Sequence, residues 1–304
     1  MTKILITGGL GHLGSHFIEQ FPLEYEIIVV DNLLTQRYTS LFNLNRPIEF
    51  IEKSIDELNI DDIAGVDYVL HLAAITDAAG SFKNKDQIED TNLLQTEKFI
   101  SLCKDNVRRF IFPSSTSVYG VAADPVYEDD DAFINPQSPY AESKIKIERL
   151  IKDTLGTNTK YLILRFGTIF GISKGMRFHT AINKFCYQTA LDQPLTIWKD
   201  NYEQYRPYLG LHDAYRSIFH FLKADKDVWD KTYNVVSGNY RLSEVVETIK
   251  SVAGNVELNM VNTPLLNQYS YIVNSDKINE TGFLPKSNLT LTIRDTLELL
   301  GNLK

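Results

Sequence analysis

A doubly wound parallel α/β sheet is predicted from three observations. Short apolar runs of strand type recur along the first 170 residues, helical stretches separate them, and the first run leads into the glycine-rich turn Gly8-Gly9-Leu10-Gly11-His12-Leu13-Gly14. The runs are Ile4 to Thr7, Ile27 to Val30, Ile48 to Glu52, Tyr68 to Leu72, Arg109 to Ser114 and Tyr161 to Arg165. Strands that alternate with helices are covered on both faces, which is the pattern of a parallel sheet. Helices are expected at Leu13 to Gln20, Asp86 to Lys104 and Pro139 to Leu155; the last opens with Ser138 as N-cap and Pro139 in the first turn. Past Gly171 the rhythm changes. A helix from Thr180 to Leu191, a short strand from Leu195 to Lys199 and two amphipathic stretches after Leu242 around an irregular middle suggest a smaller C-terminal α/β domain.

Composition narrows the classes of function. A chain of 304 residues, 43% hydrophobic and 23% charged, can bury a substantial core. A net charge of −8 argues against nucleic acid or an anionic membrane held by general electrostatics, so an anionic substrate must meet a few placed cations. The two cysteines, Cys103 and Cys186, have no metal or disulfide spacing, and no metal is expected. The N-terminus has no signal-peptide succession, and no run approaches the roughly 20 apolar residues of a membrane span. The expectation is a soluble cytoplasmic protein.

The glycine turn has a chemical use. Absent side chains let the backbone approach a pyrophosphate, and the following helix N-terminus presents unpaired N–H groups. Asp31 ends the second strand, where a carboxylate accepts hydrogen bonds from both ribose hydroxyls and repels a 2′-phosphate; NAD is therefore preferred over NADP, with Arg37 leaving that choice open. Ser115 follows the fifth strand, and Tyr140 and Lys144 stand four apart on one helix face. An ammonium and a positively charged nicotinamide beside the tyrosine would favour its phenolate, enabling it to take a proton from a sugar hydroxyl that Ser115 holds. Taken alone, a Tyr and a Lys at this spacing are a commonplace helix-surface pair; the glycine turn upstream is what favours chemistry.

Together these features resemble an extended short-chain dehydrogenase/reductase of the NAD-dependent sugar epimerase/dehydratase family. The similarity runs through Thr7 to Gly14, Asp31-Asn32, His71-Leu72-Ala73-Ala74, Asn92, the Ser114 to Gly120 segment, Tyr140 with Lys144, Leu164-Arg165, Phe170-Gly171, Arg206-Pro207-Tyr208 before His212-Asp213, Asp276-Lys277 and Gly282-Phe283. The resemblance implies an NAD-binding Rossmann domain over 1–170 with a return segment at about 208–238, and a substrate-binding domain from 171–207 and 239–304. It implies catalysis by Ser115, Tyr140 and Lys144. The residues expected at NAD are Gly8, Gly11, His12, Leu13, Gly14, Asp31, Asn32, Ser54, Ile55, Leu72, Ala73, Ala74, Asn92, Tyr140 and Lys144. Those expected at the substrate are Thr76, Ser115, Thr116, Thr168, Arg177 and Arg206.

In such enzymes a nucleotide-activated sugar gives a hydride to NAD, and the keto intermediate is then processed. Dehydratases and decarboxylases of the family place acids where this chain has Thr116 and Ser117, and a 3,5-epimerase/reductase would want a Cys near Ser117 and a His near Ser173. Hydride return to the opposite face, an epimerisation at C4, is the simple outcome left. A dehydrogenase or ketoreductase with exchangeable NAD(H) uses the same residues, and a non-catalytic NAD(H)-sensing protein on this fold is the alternative outside enzymes.

Several departures bear on the substrate. Thr168 stands where such epimerases usually have Asn, Ser54 where an Asp often meets the adenine, and no basic residue lies around Thr263 and Pro264. Arg206 becomes the first candidate for the diphosphate, since its planar fork suits phosphate oxygens, with Arg177 the second. His12 and His71 are expected to pack and His212-Asp213 to start a helix; none of them, nor His179, is assigned a catalytic role. Tyr202, Tyr205 and Tyr208 could line a sugar pocket or pack between domains. The resemblance also implies a homodimer through the helices at Asp86 to Lys104 and Pro139 to Leu155, whose Leu93, Leu94, Ile100, Ile145, Ile147, Leu150 and Ile151 make them unusually apolar, although core packing against the sheet would use many of the same residues.

Overall fold

The structure is a computed structural model that describes all residues except 77–79, 83, 123–124, 225, 263–269 and 302–304. The chain opens with strand Thr2–Thr7 (β1), helix His12–Gln20 (α1), and strands Tyr25–Asp31 (β2), Glu49–Glu52 (β3) and Tyr68–His71 (β4). Helix Lys85–Ile88 (α2) passes through a π-helical stretch, Glu89–Leu94, into helix Gln95–Cys103 (α3). Then come strand Arg109–Ser115 (β5), helix Pro139–Thr154 (α4), strands Lys160–Phe166 (β6) and Thr168–Phe170 (β7), helix Ala181–Ala190 (α5) and strands Leu195–Trp198 (β8) and Tyr205–Gly210 (β9). Helix Leu211–Lys223 (α6), strands Lys231–Val235 (β10) and Gly238–Arg241 (β11), helix Leu242–Ala253 (α7), strand Leu258–Val261 (β12) and helices Asp276–Asn279 (α8) and Leu289–Leu300 (α9) complete it.

Seven parallel strands form the main sheet in the order β10-β6-β5-β4-β1-β2-β3. Consecutive residues of each strand point to opposite faces, and both faces are buried, which is why the runs read as continuously apolar. On one side Ile4, Ile6, Ile27, Val29, Leu162 and Leu164 pack with Phe17, Ile18, Ile218 and Phe221 of α1 and α6. On the other, Leu5, Ile28, Val30, Phe110, Phe112 and Ile163 pack with Phe99, Ile100, Ile147 and Ile151 of α3 and α4. Each such side chain contributes about 1.5–3 kcal/mol by leaving water. The chain reverses direction across the sheet between β1 and β4, and the crevice beyond that switch point is where open α/β sheets hold ligands.

A separate core unites α5, α7 and α9 with β8 and β9. Two small sheets accompany it: β11-β9-β7, and the pair β12-β8. The sequence reading contains β8 but not the three-stranded sheet, because β7 has only three residues and β9 carries Pro207, which breaks a strand signal.

The single helix expected over Asp86 to Lys104 is divided by the π-helical stretch. There Asn92 turns inward, and its carboxamide accepts from the Ile75 N–H (2.8 Å) and donates to the Ile75 carbonyl (3.0 Å). The apolar residues taken as a sign of dimerisation are mostly spent within the chain. Ile100, Ile145, Ile147 and Ile151 are buried in its own cores, Leu93 and Leu150 are half-buried, and only Leu94 is exposed. No helix among the described residues is long and apolar enough to cross a membrane.

Candidate active site

A cleft of about 750 Å³ runs from the glycine turn, over the ends of β4 and β5, to α5, β8 and β9. The glycines build its first wall. Gly8 adopts φ +63°, and a Cβ there would stand 2.7 Å from the Ala73 backbone. A Cβ at Gly14 would stand 2.4 Å from the Gly9 carbonyl oxygen, so the helix meets the turn only because Gly14 lacks a side chain. Gly11 lines the cleft as the N-cap of α1 and provides no side-chain cap, which leaves first-turn N–H groups for an anion. These features fit a dinucleotide pyrophosphate. Asp31 also lines the cleft; its carboxylate accepts from the Leu10 N–H (3.1 Å) and the Leu33 N–H (2.9 Å), tying the glycine turn to the end of β2.

Arg37 does not stand idle beside Asp31: its guanidinium donates to the Gly175 carbonyl. The segment after β7 thus straps the cleft. His12 Nε2 lies 2.9 Å from the Gly171 carbonyl oxygen, the Gly175 N–H donates to Ser15 Oγ (2.9 Å), and Lys174 pairs with Glu19 (2.6 Å). Burial lowers the His12 pKa to about 4, so this ring is a neutral strut, as its place in the turn suggested. His71 is likewise structural. It lies sealed between Thr7 (2.7 Å) and Thr96 (3.1 Å), and burial lowers its pKa to about 3.

At the centre α4 lies against β5. Ser138 caps the helix by accepting from the Ala141 N–H (3.2 Å), and this starts the turn that carries Tyr140. Burial raises the Tyr140 pKa to about 12; a hydrogen bond with Ser115 and the positive charge of Arg177 work in the opposite direction. The Lys144 ammonium, expected to favour the phenolate, lies 5.8 Å from the Tyr140 ring centre and over Phe112, and donates to the Pro113 carbonyl (3.0 Å). Burial lowers the Lys144 pKa to about 8 against the pull of Glu148.

Ser117, noticed in the sequence only as a missing acid, donates its N–H (3.1 Å) and its hydroxyl (2.9 Å) to Ser115 Oγ. That leaves the Ser115 proton for an oxygen in front of it. Thr116, buried beside it, has its hydroxyl 3.4 Å from the Tyr271 hydroxyl.

At the far end Arg206 reaches the cleft from β9, its guanidinium 5.7 Å from the Tyr271 ring centre and hydrogen-bonded to that residue's hydroxyl. Its Nη2 is buried without a hydrogen-bond partner among the described residues. Burial lowers its pKa, so an incoming anion would satisfy an otherwise costly group. Arg177 donates to the Thr76 hydroxyl, and both line the cleft with Thr168.

The cleft gathers Gly8, Gly11, His12, Leu13, Gly14, Asp31, Asn32, Ser54, Ile55, Leu72, Ala73, Ala74, Thr76, Ser115, Thr116, Tyr140, Lys144, Thr168, Arg177 and Arg206. Asn92 is the exception among the expected residues. It is buried behind the lining and acts through Ile75, which does line the cleft. Of the three tyrosines only Tyr208 lines the cleft; Tyr202 packs against the C-terminal core and Tyr205 lies against Arg241. Trp198, Asn201 and Tyr271 line it without having been foreseen. Trp198 had a usable signal, an aromatic at the end of a short strand; Tyr271 follows an irregular stretch and had none. His212 is exposed and Asp213 is buried at the start of α6, where it accepts from the Lys286 and Ser287 N–H groups. The surroundings of Thr263 and Pro264 lie outside the described residues. No cluster of metal-ligating side chains occurs among the described residues.

The profile of the NAD dependent epimerase/dehydratase family matches residues 4–235. The chain belongs to that family. Its cofactor is NAD, in keeping with the pyrophosphate cradle and Asp31. Among curated relatives, the YtcB protein of Bacillus subtilis, named an uncharacterized UDP-glucose epimerase, is 28% identical over 271 residues, covering 83% of this chain and 82% of its own. UDP-glucose 4-epimerase of Caenorhabditis elegans is 25% identical over 290 residues, covering 83% of each chain. The crystal structure of UDP-glucuronic acid 4-epimerase from Bacillus cereus, in complex with UDP-glucuronic acid and NAD, shares the fold with a TM-score of 0.89 at 23% identity over the whole of both chains.

Proposed function

We propose that this protein is an NAD-dependent epimerase of a nucleotide-activated sugar, acting at C4 through a transient keto-sugar. The observation that carries this reading is the meeting of Ser115 and Tyr140 at the centre of a cleft that has a pyrophosphate cradle at one end and, at the other, the Nη2 of Arg206, which has no partner among the described residues. The relatives named above, UDP-glucose and UDP-glucuronic acid epimerases, support UDP as the nucleotide.

When bound, NAD supplies a hydride acceptor that can give back what it takes. Gly11 and the first turn of α1 would hold its pyrophosphate, and Asp31 its adenosine ribose. Arg206 takes the substrate diphosphate and thereby brings the sugar C4 hydroxyl to Ser115 and Tyr140. Ser115 would donate a hydrogen bond to that oxygen, and Tyr140 would take its proton and later give it back. Lys144 and Arg177 supply positive charge beside Tyr140 that favours its phenolate, to which a bound nicotinamide would add. Thr116 and Ser117 cannot serve as acids at neutral pH, so water is not expelled and the ketone is reduced again.

The strap from Gly171 to Gly175 supports NAD retained through turnover rather than exchanged, which favours epimerisation over net oxidation or reduction. We read residues 1–170 with 208–238 as the NAD-binding unit and the rest as the substrate-binding unit. We place the protein in the cytoplasm as a homodimer, with exposed Leu94 at the seam. A clean monomer in gel filtration at low concentration would reject the dimer.

The deciding experiment is chromatographic separation with proton NMR and mass spectrometry of UDP-, GDP-, CDP- and dTDP-sugars incubated with the protein in deuterium oxide without added cofactor, NMR reporting the configuration at C4 and mass the deuterium. The expected result is interconversion of C4 epimers of a UDP-sugar with no deuterium uptake. Uptake beside the keto carbon, or a requirement for stoichiometric NADH, would replace this reading by enolisation or by ketoreduction.

A further inference from the structure

Helix α4 carries Tyr140, Lys144 and Glu148 one turn apart, and this face meets three consecutive residues of β5. Lys144 donates to the Pro113 carbonyl (3.0 Å), Ser114 Oγ donates to Glu148 Oε1 (2.5 Å), and Ser115 hydrogen-bonds with Tyr140. Arg165 lies directly across from Ser114 on β6. Its Nε donates to both Glu148 oxygens (3.1 and 3.2 Å) and its Nη2 to Oε2 (2.7 Å). Glu148 and Arg165 have side-chain exposures of 0% and 1%.

Apolar groups of similar volume stabilise a fold about as well as such a buried pair, so stability alone does not account for it. Its location suggests another task. We propose that Glu148 is the positioning residue of the Tyr140–Lys144 pair: clamped by Ser114 and Arg165, its carboxylate fixes α4 on β5 and supplies the counter-charge for the Lys144 ammonium. This inference rests on the assignment of Tyr140 and Lys144 to the reaction.

The other groups around the pair do not take over this task. His71 on β4 is kept neutral by burial, with Lys144 adding to the effect. Arg177 acts on Tyr140 from the strap. Tyr119 accepts from Arg165 Nη1 (2.9 Å) and donates to Asn234 (2.6 Å). Glu128 lies beyond Arg165, engaged with Asn234 through its carboxylate oxygens (2.9 and 3.1 Å). Glu148 is the carboxylate that acts on Lys144.

The test is the pH profile of kcat, with KM followed separately, for E148Q, E148D and the double variant E148Q/R165M, which removes both buried charges together. The holoenzyme is used and folding is checked by circular dichroism and NAD content. In both glutamine variants the alkaline limb set by Lys144 should move down by about one pH unit, a tenfold loss above the limb, with little change in KM. E148D, which keeps the charge on a shorter stem, should restore the limb while lowering kcat. A folded glutamine variant with the wild-type limb, or one whose kcat falls equally at every pH, overturns the proposal. If neither glutamine variant folds, E148D decides: wild-type kcat and limb together overturn it. Y140F, measured in parallel, separates the two readings. An active Y140F removes the catalytic assignment, whereas an inactive Y140F beside unshifted Glu148 variants removes only the role of Glu148.

Discussion

Ser117 gives two hydrogen bonds to Ser115, one from its backbone N–H at 3.1 Å and one from its hydroxyl at 2.9 Å. The pair occupies the end of β5 and the 3₁₀ turn after it, so the backbone geometry that ends the strand also orients the hydroxyl facing Tyr140. Because the N–H donor belongs to the backbone, only the side-chain bond can be removed by substitution. S117A should therefore lower kcat about fivefold to tenfold, the equivalent of one neutral hydrogen bond of about 1 kcal/mol, with little change in KM. Steady-state kinetics on the C4 epimer pair measures this. A rise in KM with unchanged kcat would mean that Ser117 contacts the ground-state sugar instead of orienting Ser115.

Arg206 separates binding from chemistry at the other end of the cleft. It is held by Tyr271 yet keeps Nη2 unpartnered and buried, an arrangement that costs free energy until an anion arrives. R206M fills similar volume without charge. It should raise KM for the nucleotide sugar about tenfold to a hundredfold, corresponding to about 1.5–3 kcal/mol for a charge-assisted hydrogen bond, while the melting temperature holds or rises. An unchanged KM in R206M would transfer the diphosphate to another cation, with Arg177 next in line.

The two ends of this site were not equally legible. Gly8 to Gly14, Asp31, Ser115, Tyr140 and Lys144 could be read because each sits at a strand end or on one helix face, where local periodicity predicts position. The same periodicity put Lys144 on the face of Tyr140 but did not specify the acceptor its ammonium finds, the Pro113 carbonyl. Asn92 was assigned to NAD although its partner is Ile75, because nothing in the sequence announces the π-helical turn that swings it inward. Tyr271 meets Thr116 across a separation of 155 residues, and no local pattern encodes that contact. The apolar residues on α3 and α4 were legible as apolar, with sheet core and second subunit both left open, since a helix packed on either needs the same side chains.

The neutral histidines set a limit on acid stability. Burial takes His71 from 6.5 to about 3, and His12 and His16 to about 4, so in each case the folded value lies below the unfolded one. The stability of the neutral folded state is then fully present above pH 6.5 and is lost as pH falls, because the unfolded chain takes up protons that the folded chain refuses. For each histidine the slope approaches about 1.4 kcal/mol per pH unit until its folded value is reached. Unfolding free energies measured by urea titration should fall from pH 6.5 to pH 5, a window in which most carboxylates remain ionised. H71Q, in which the amide can still meet Thr7 and Thr96, should be less stable at pH 7 but show a shallower decline below pH 6.5. An identical slope in H71Q and the wild type would mean that His71 is not held neutral between those two threonines.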